Sequence, residues 1–367
     1  MATGFNFHEL YLWHDTRNYA AVFPPGLTIE PGEHAENPAT KRRLRNLLEV
    51  SGMLEHLTPL PATKVSEEDM LRVHTAPYIA KLRALSEAEG GDAGGLTPFG
   101  PGSFEIARLA AGGTYAVLEA VLRGEVANGY ALTRPPGHHA ERDIGMGFCL
   151  LANIPIAVKK ARALHGLGRV AVVDWDVHHG NGTEQAFWED GETLTISLHQ
   201  DRLFPLTTGA VSARGAGAGL GANINIPLPP GSGHGAYVAA FERIVLPALA
   251  AFRPEVIVVA SGFDGSANDP LGCMMMHSGT YRALTRALMD FAGAACGGRI
   301  AMNHEGGYSA SHVPYCGLAV IEELSGHATG IEDPWFSNMA AYGQQELQPH
   351  QEAAIAAAAE DQPLLAR

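Results

Sequence analysis

The chain has 367 residues, 46% of them apolar and 17% charged, so nothing in its composition prevents a large buried core. With 25 basic and 39 acidic residues its net charge is −14, which argues against nucleic acid as a partner, since phosphate backbones are bound by clustered Lys and Arg. The same balance is compatible with a cationic substrate, a lysine-rich peptide or a polyamine, although an ordinary acidic surface accounts for it as well.

The N-terminus, MATGFNFHELYLWHD, lacks the basic start and apolar stretch of a signal peptide. FPPGLTIEPGEHAENPAT is turn-rich, and KRRLRNLLEVSGMLEHL reads as an amphipathic helix. EAEGGDAGGLTPFGPGS (87–103) is a Gly/Pro-rich loop, either a linker or a loop beside a site. From Phe104 a regular alternation begins. FEIARLAAGGTYAVLEAVLRG reads as helix, GYALT as strand, IPIAVKKARALHG as helix, RVAVVD and TLTISLH as strands, and NINIPLP as strand-like. AYVAAFERIVLPALAAF follows as helix, then EVIVVAS as strand, TYRALTRALMDFAGAA as helix, RIAMNHE as strand and CGLAVIEELSG as helix. The tail QQELQPHQEAAIAAAAEDQ is expected to be a peripheral helix. The alternation points to an α/β fold with a mostly parallel sheet. No apolar run is read as reaching the roughly 18 residues of a membrane span, and Cys149, Cys273, Cys296 and Cys316 form no CxxC pair. A cytoplasmic protein without a membrane partner is expected.

Four strand-type runs end in unusual polar clusters: GYALT in RPPGHHA, RVAVV in DWDVHHGNG, EVIVVA in SGFDG, and RIAMN in HEGGY. Ligand crevices of parallel sheets lie beyond the carboxyl ends of the strands, so the four clusters should converge on one site. By spacing alone, Asp174, Asp176 and His178 alternate as one metal-binding face, with Asp264 a further candidate on a distant strand. Asp and His ligands without thiolates suit Zn²⁺, Fe²⁺ or Mn²⁺. His138 and His139 offer a base and an acid, and Tyr308 an oxyanion donor. RGAGAGLGA (214–222) lacks the strand–turn–helix context of a dinucleotide fingerprint, no GxSxG elbow occurs, and Cys149 lacks the neighbours of a nucleophile.

Taken together, RPPGHHA…GMGFC, VVDWDVHHGNGT, TISLHQ…FP, ASGFDGSANDPLG and EGGYS…CGLAVIEEL resemble the zinc-dependent histone deacetylase family, most of all its class II branch and the bacterial histone deacetylase-like amidohydrolases. The resemblance runs from about residue 8 to 326, with 327–367 a C-terminal segment of the same single domain. It implies the arginase/deacetylase α/β fold, an eight-stranded parallel sheet flanked by helices, and hydrolysis of an acyl amide to an amine and acetate. It implies one catalytic zinc on Asp176, His178 and Asp264, with His138 and His139 handling protons, Asp174 orienting His138, and Tyr308 donating to the oxyanion. A structural potassium ion would sit on Asp174, Asp176, His178, Ser197 and Leu198, and a second monovalent site around Phe187, Asp190 and Thr193. Gly147, Phe148, Phe204 and Leu271 would line a tunnel for the acyl-lysine stem, Asp92 would grip substrate backbone at its rim, and Arg43 would lie deep in an acetate-release cavity.

Asn181 stands where class I members carry an aspartate, which implies a less basic His139. Leu151-Ala152-Asn153 and Asn37-Pro38 depart from the family's FNN and HP without removing a catalytic residue. The expected substrate is an acyl-lysine side chain or another acylated amine, acetylpolyamine being the alternative, and homo-oligomerisation is left open. A dimanganese ureohydrolase would need bridging carboxylates that these motifs do not supply. A silent acyl-lysine binder has no need of both histidines and the tyrosine.

Overall fold

Valine, isoleucine and alanine dominate the strand-type runs, which are buried on both faces, as a helix-covered parallel sheet requires. The computed structural model describes residues 2–343, 345–360 and 362–365. Within them, beside two small two-stranded pairings, the main sheet has eight strands. In chain order these are β1 (Thr3–Asn6), β2 (Leu57–Pro59), β3 (Asn128–Ala131), β4 (Val170–Asp174), β5 (Thr193–Gln200), β6 (Asn223–Leu228), β7 (Val256–Ser261) and β8 (Ile300–His304). Their spatial order is β6-β5-β4-β7-β8-β3-β1-β2, and every pairing is parallel. Strands β3 to β8 lie in the runs read as strands from the sequence. β1 and β2, of 4 and 3 residues, are too short to show any periodicity.

The topology accounts for where the site lies. From β4 the chain moves outward through β5 and β6, and β7 then returns on the other side of β4 and leads toward β8. That reversal between β4 and β7 is the switch point at which α/β sheets open a crevice. The four strands with polar ends, β4, β7, β8 and β3, are consecutive neighbours at the centre of the sheet. Register sets Asp174 opposite Ala260 and Ser197, and Ser261 opposite His304, so the polar segments leave the sheet at one level.

Helices cover both faces, among them Ala39–Val50, Ser103–Leu122, Asn153–His165, Ser278–Ala295 and Val313–Ser325. One expectation is corrected. The run His234–Phe252 is 19 residues long with a mean hydropathy of 1.4, which meets the length and composition of a membrane span. More than half of it is buried inside the protein, with Phe241, Ile244, Val245 and Leu249 in the main core, so it is a core helix here. The 87–103 loop is drawn to the site: Gly94–Gly95 pairs in parallel with Gly145–Met146, just ahead of Gly147 and Phe148. The tail helix Pro349–Ala359 lies at the β6 edge, where its buried Ile355 and Ala358 join the core. It is peripheral in position and not in packing.

Candidate active site

The segment Asp174–His178 leaves β4 as a tight polar turn whose carboxylates accept the chain's own N–H groups. Asp174 Oδ1 accepts from Asp176 N (3.0 Å), and Asp176 Oδ1 accepts from His178 N (2.9 Å). Asp176 Oδ2 accepts from Gly306 N on the β8 side (2.8 Å), and Asp264 Oδ1 accepts from Val177 N (2.8 Å). These bonds draw Asp176, His178 and Asp264 together, one ligand atom from each lying within 4.8 Å of the others. Gly306 permits the approach, because a Cβ there would stand 2.0 Å from Asp264 Oδ2.

In the metal-free protein His178 is itself the cation of the cluster: burial pushes its imidazole down, but its bonds to Asp176 and Asp264 outweigh this and hold it at about 10. His178 Nδ1 is 3.1 Å from Asp176 Oδ1 and 3.2 Å from Asp264 Oδ2, yet Asp264 Oδ2 is buried without a hydrogen-bond partner. Burial and the adjacent Asp176 charge raise the Asp264 carboxyl to about 6. An orphaned carboxylate oxygen beside a second carboxylate and an imidazole nitrogen is the donor set a small divalent cation fits. A second grouping, His138, Cys149 and Glu305, also falls within 4.8 Å. Its carboxylate is already committed, since Glu305 Oε2 accepts from Gly137 N (2.7 Å) and His138 N (3.1 Å).

The tandem histidines stand with ring centroids 4.0 Å apart and are held differently. His138 Nδ1 lies 2.9 Å from Asp174 Oδ2, and His139 Nδ1 lies 2.7 Å from Asn181 Oδ1. Asn181 Nδ2 donates to Glu141 Oε1 (2.6 Å), so its oxygen is the atom facing His139. His139 Nδ1 therefore carries the proton and Nε2 a free lone pair. Burial pushes the His138 imidazole down, but the Asp176 and Asp174 charges outweigh this and hold it at about 10. Burial, with cationic neighbours His138 and His178, pushes His139 well below its ordinary value. Two adjacent imidazoles are thus set to opposite protonation states.

A cavity of about 140 Å³ is lined by His139, Gly147, Phe148, His178, Phe204, Leu271 and Tyr308, with Val22, Leu96 and Leu203. Phe148 packs edge-on to Tyr308, and Phe204 edge-on to His139, at centroid distances of 5.8 and 5.1 Å. Phe148 has φ +71°, an uncommon value for a bulky residue. At Gly147, φ is +51° and a Cβ would meet the His139 ring at 2.3 Å. Burial and the Asp264 and Asp176 charges raise the Tyr308 phenol well above its usual value, so it stays a donor.

Other sequence candidates fall in various places. Ser197 lies opposite Asp174 in register and bonds His199, with Leu198 buried beside it. Asp190 is engaged by the Arg162 guanidinium and the Thr193 hydroxyl, and Phe187 O accepts from Asp190 N. Asp92 is exposed, and its Oδ1 accepts from Gly94 N and Thr97 N, bracing the loop that reaches the tunnel rim. Cys149 is buried, and burial raises its thiol, the opposite of an activated nucleophile. His179 contacts Thr208 and Glu184 and joins no ligand group.

Arg43 is a correction. Thr40, Lys41, Leu44 and Leu48 form the buried stripe of the helix Ala39–Val50, which leaves Arg43 exposed on an outer cleft of about 570 Å³ with Trp335 and Asn338. The buried cations of this region are Lys41 and Arg134. Both pair with the fully buried Glu36, at 3.2 and 2.9 Å, and the Lys41 ammonium lies 5.8 Å from the Tyr308 ring. Burial pushes the Glu36 carboxyl up, yet Arg134 and Lys41 overcome this and hold it at about 2. That stabilisation is complete above the ordinary carboxyl value of 4.5 and is lost as pH falls through about 2. Glu36→Gln is expected to cost about 3–5 kcal/mol by stranding two buried cations. Urea unfolding checks this, and between pH 4.5 and 2 the variant should lose less stability than the parent.

Two residues passed over in the sequence also hold the site. Glu305 grips the histidine loop as described. Asp269 is buried, and its Oδ2 accepts from Tyr308 N (2.7 Å) and Ser309 N (3.3 Å) while Oδ1 accepts from Leu271 N (2.9 Å). Position was the available signal: both lie within the motifs HEGGY and SGFDGSANDPLG.

The α/β sheet thus carries a three-residue metal-type cluster at its switch point, beneath an aromatic tunnel. The chain belongs to the histone deacetylase family, whose domain matches residues 34–324. It is 52% identical over 335 residues to a histone deacetylase-like amidohydrolase of Pseudomonas aeruginosa, covering 90% of this chain and 88% of that protein. It is 35% identical over 309 residues to the human polyamine deacetylase HDAC10, covering 81% of this chain and 45% of that one. The crystal structure of the HDA15 HD domain matches with a TM-score of 0.84 and 32% identity, covering all of this chain and 96% of that domain.

Proposed function

We propose that this chain is a zinc-dependent amidohydrolase that removes acetyl or other short acyl groups from acyl-lysine side chains or related acylated amines. The observation that carries the reading is the cluster of Asp176, His178 and the unpartnered Asp264 Oδ2, with His178 also lining the tunnel shared with His139 and Tyr308. Asp176, His178 and Asp264 would hold the ion, which when bound supplies Lewis acidity to water and to the amide carbonyl. His139, neutral and with Nε2 free, accepts the proton of the attacking water and returns it to the departing amine. His138, its Nδ1 2.9 Å from Asp174 Oδ2, is oriented toward the same space and stabilises negative charge as it develops beside it. Tyr308 donates its hydroxyl proton to the oxyanion in a hydrogen bond. Phe148 and Phe204 enclose the apolar stem of the substrate.

Asp174, Ser197 and Leu198, with Asp176 and His178, would hold a potassium ion, Ser197 lying opposite Asp174 in register. Acetylpolyamine is the second reading, favoured by the HDAC10 relationship. A kinetic panel of acetyl-lysine peptides, acetylpolyamines and longer acyl amides, with a hydroxamate as inhibitor, tests both readings. Absence of turnover across the panel by zinc-loaded protein would overturn them.

The bonds from Asp269 make it a positioning residue for Tyr308. Asp269→Asn removes part of that clasp and is expected to lower kcat about 10²-fold, the cost of a displacement near 1 Å. KM and zinc content should stay within about twofold, and a parallel fall in folded fraction would show a merely structural role.

A further inference from the structure

Beyond Asn181, and sharing no lining residue with the tunnel, a cavity of about 590 Å³ is walled by Arg72, His74, Arg142, Asp143, Lys159 and Gln185 among others. Three permanent cations against one carboxylate is unexpected in a chain of net charge −14. Arg72 is held by Glu68 at 2.7 Å and, more loosely, Asp69 at 3.8 Å. The Arg142 guanidinium and the Lys159 ammonium make no hydrogen bond or ion pair among the described residues, Lys159 resting only 5.6 Å over the Phe187 ring. Lys159 is partly buried, and that burial disfavours its charge; the nearby Asp190 carboxylate offsets this only in part and is itself paired with Arg162. His74 is not a ligand candidate, because Nδ1 faces Glu141 O and Nε2 accepts from Ala152 N.

We propose that this cavity binds a small phosphorylated molecule, its phosphoryl oxygens held between Arg142 and Lys159 with Arg72 at the edge. A guanidinium and an ammonium converging on one space match a multiply charged tetrahedral anion, and the volume leaves room for the rest of a phosphomonoester. Occupancy would reach the active site by a continuous path. Gln185 Oε1 accepts from Arg142 N (2.8 Å) and Nε2 donates to Glu141 Oε2 (2.8 Å). Glu141 accepts in turn from Asn181, the residue that fixes His139. This coupling rests on the amidohydrolase reading, whereas binding does not.

Calorimetric titration of the full chain with inorganic phosphate and with glycerol 3-phosphate, at constant ionic strength, tests the site. Saturable binding is expected, weakened at least tenfold by Arg142→Gln and by Lys159→Gln and unchanged by the remote Arg286→Gln, with thermal unfolding showing all three folded. No saturable binding, or binding that survives both cavity substitutions, would overturn the site. Binding without any change in deacetylation rate would overturn the coupling alone.

Discussion

Replacing Tyr308 by phenylalanine is expected to lower kcat about 10²–10³-fold, the range for loss of one preorganised oxyanion donor. The ring would keep its place, because Phe148 packs edge-on to it and Asp269 holds the backbone N–H, so only the hydroxyl is lost. Zinc content and hydroxamate binding through the aromatic walls should therefore be largely retained. The phenol's raised pKa keeps the donor protonated through neutral pH, so the deficit should not be recovered at higher pH within the stable range. Single-turnover kinetics with metal analysis distinguishes this from a binding defect. Turnover at the parental rate would assign the oxyanion to another donor.

The second large effect concerns Asp264. Asp264→Asn should abolish turnover and weaken zinc binding by more than the roughly 10–100-fold that follows loss of an outer hydrogen-bond partner. In the metal-free chain the same change should stabilise the fold. Asp264 and Asp176 are both fully buried, and burial beside a like charge is why the Asp264 carboxyl rises to about 6. A carboxyl raised in the fold loses stability as pH climbs from its ordinary 3.8 through about 6, so the amide should gain most near neutrality. Urea unfolding of the two apo-proteins at pH 7 should show the variant more stable, and the margin should shrink as pH falls below about 6. With zinc added, the order should reverse. An apo-variant less stable than the parent would mean that Asp264 is a structural acceptor first.

Much of the site was legible because its residues sit at strand ends, where apolar runs stop at GHH, DWDVHH, SGFD and HEGGY. That β4, β7, β8 and β3 are adjacent was not legible, since strand order depends on which crossovers pack. Spacing alone favoured Asp174, Asp176 and His178 as one face. The fold instead gives Asp174 to His138 and brings Asp264 in from β7. In KRRLR the family resemblance places Arg43 in a buried cavity, yet helical phase buries Lys41 and exposes Arg43. The tertiary partner Glu36, which also binds Arg134, makes that burial tolerable. Asp269 and Glu305 escaped notice for a related reason: they act on backbone N–H groups of other segments, a role without sequence periodicity.

The most direct test is turnover of an acetyl-lysine peptide by protein of measured zinc content, before and after chelation and again after readdition of one equivalent of zinc. The account predicts acetate release that disappears with the metal and returns in proportion to zinc bound, up to one ion per chain. Acetate release that continues undiminished in the metal-free protein would contradict it.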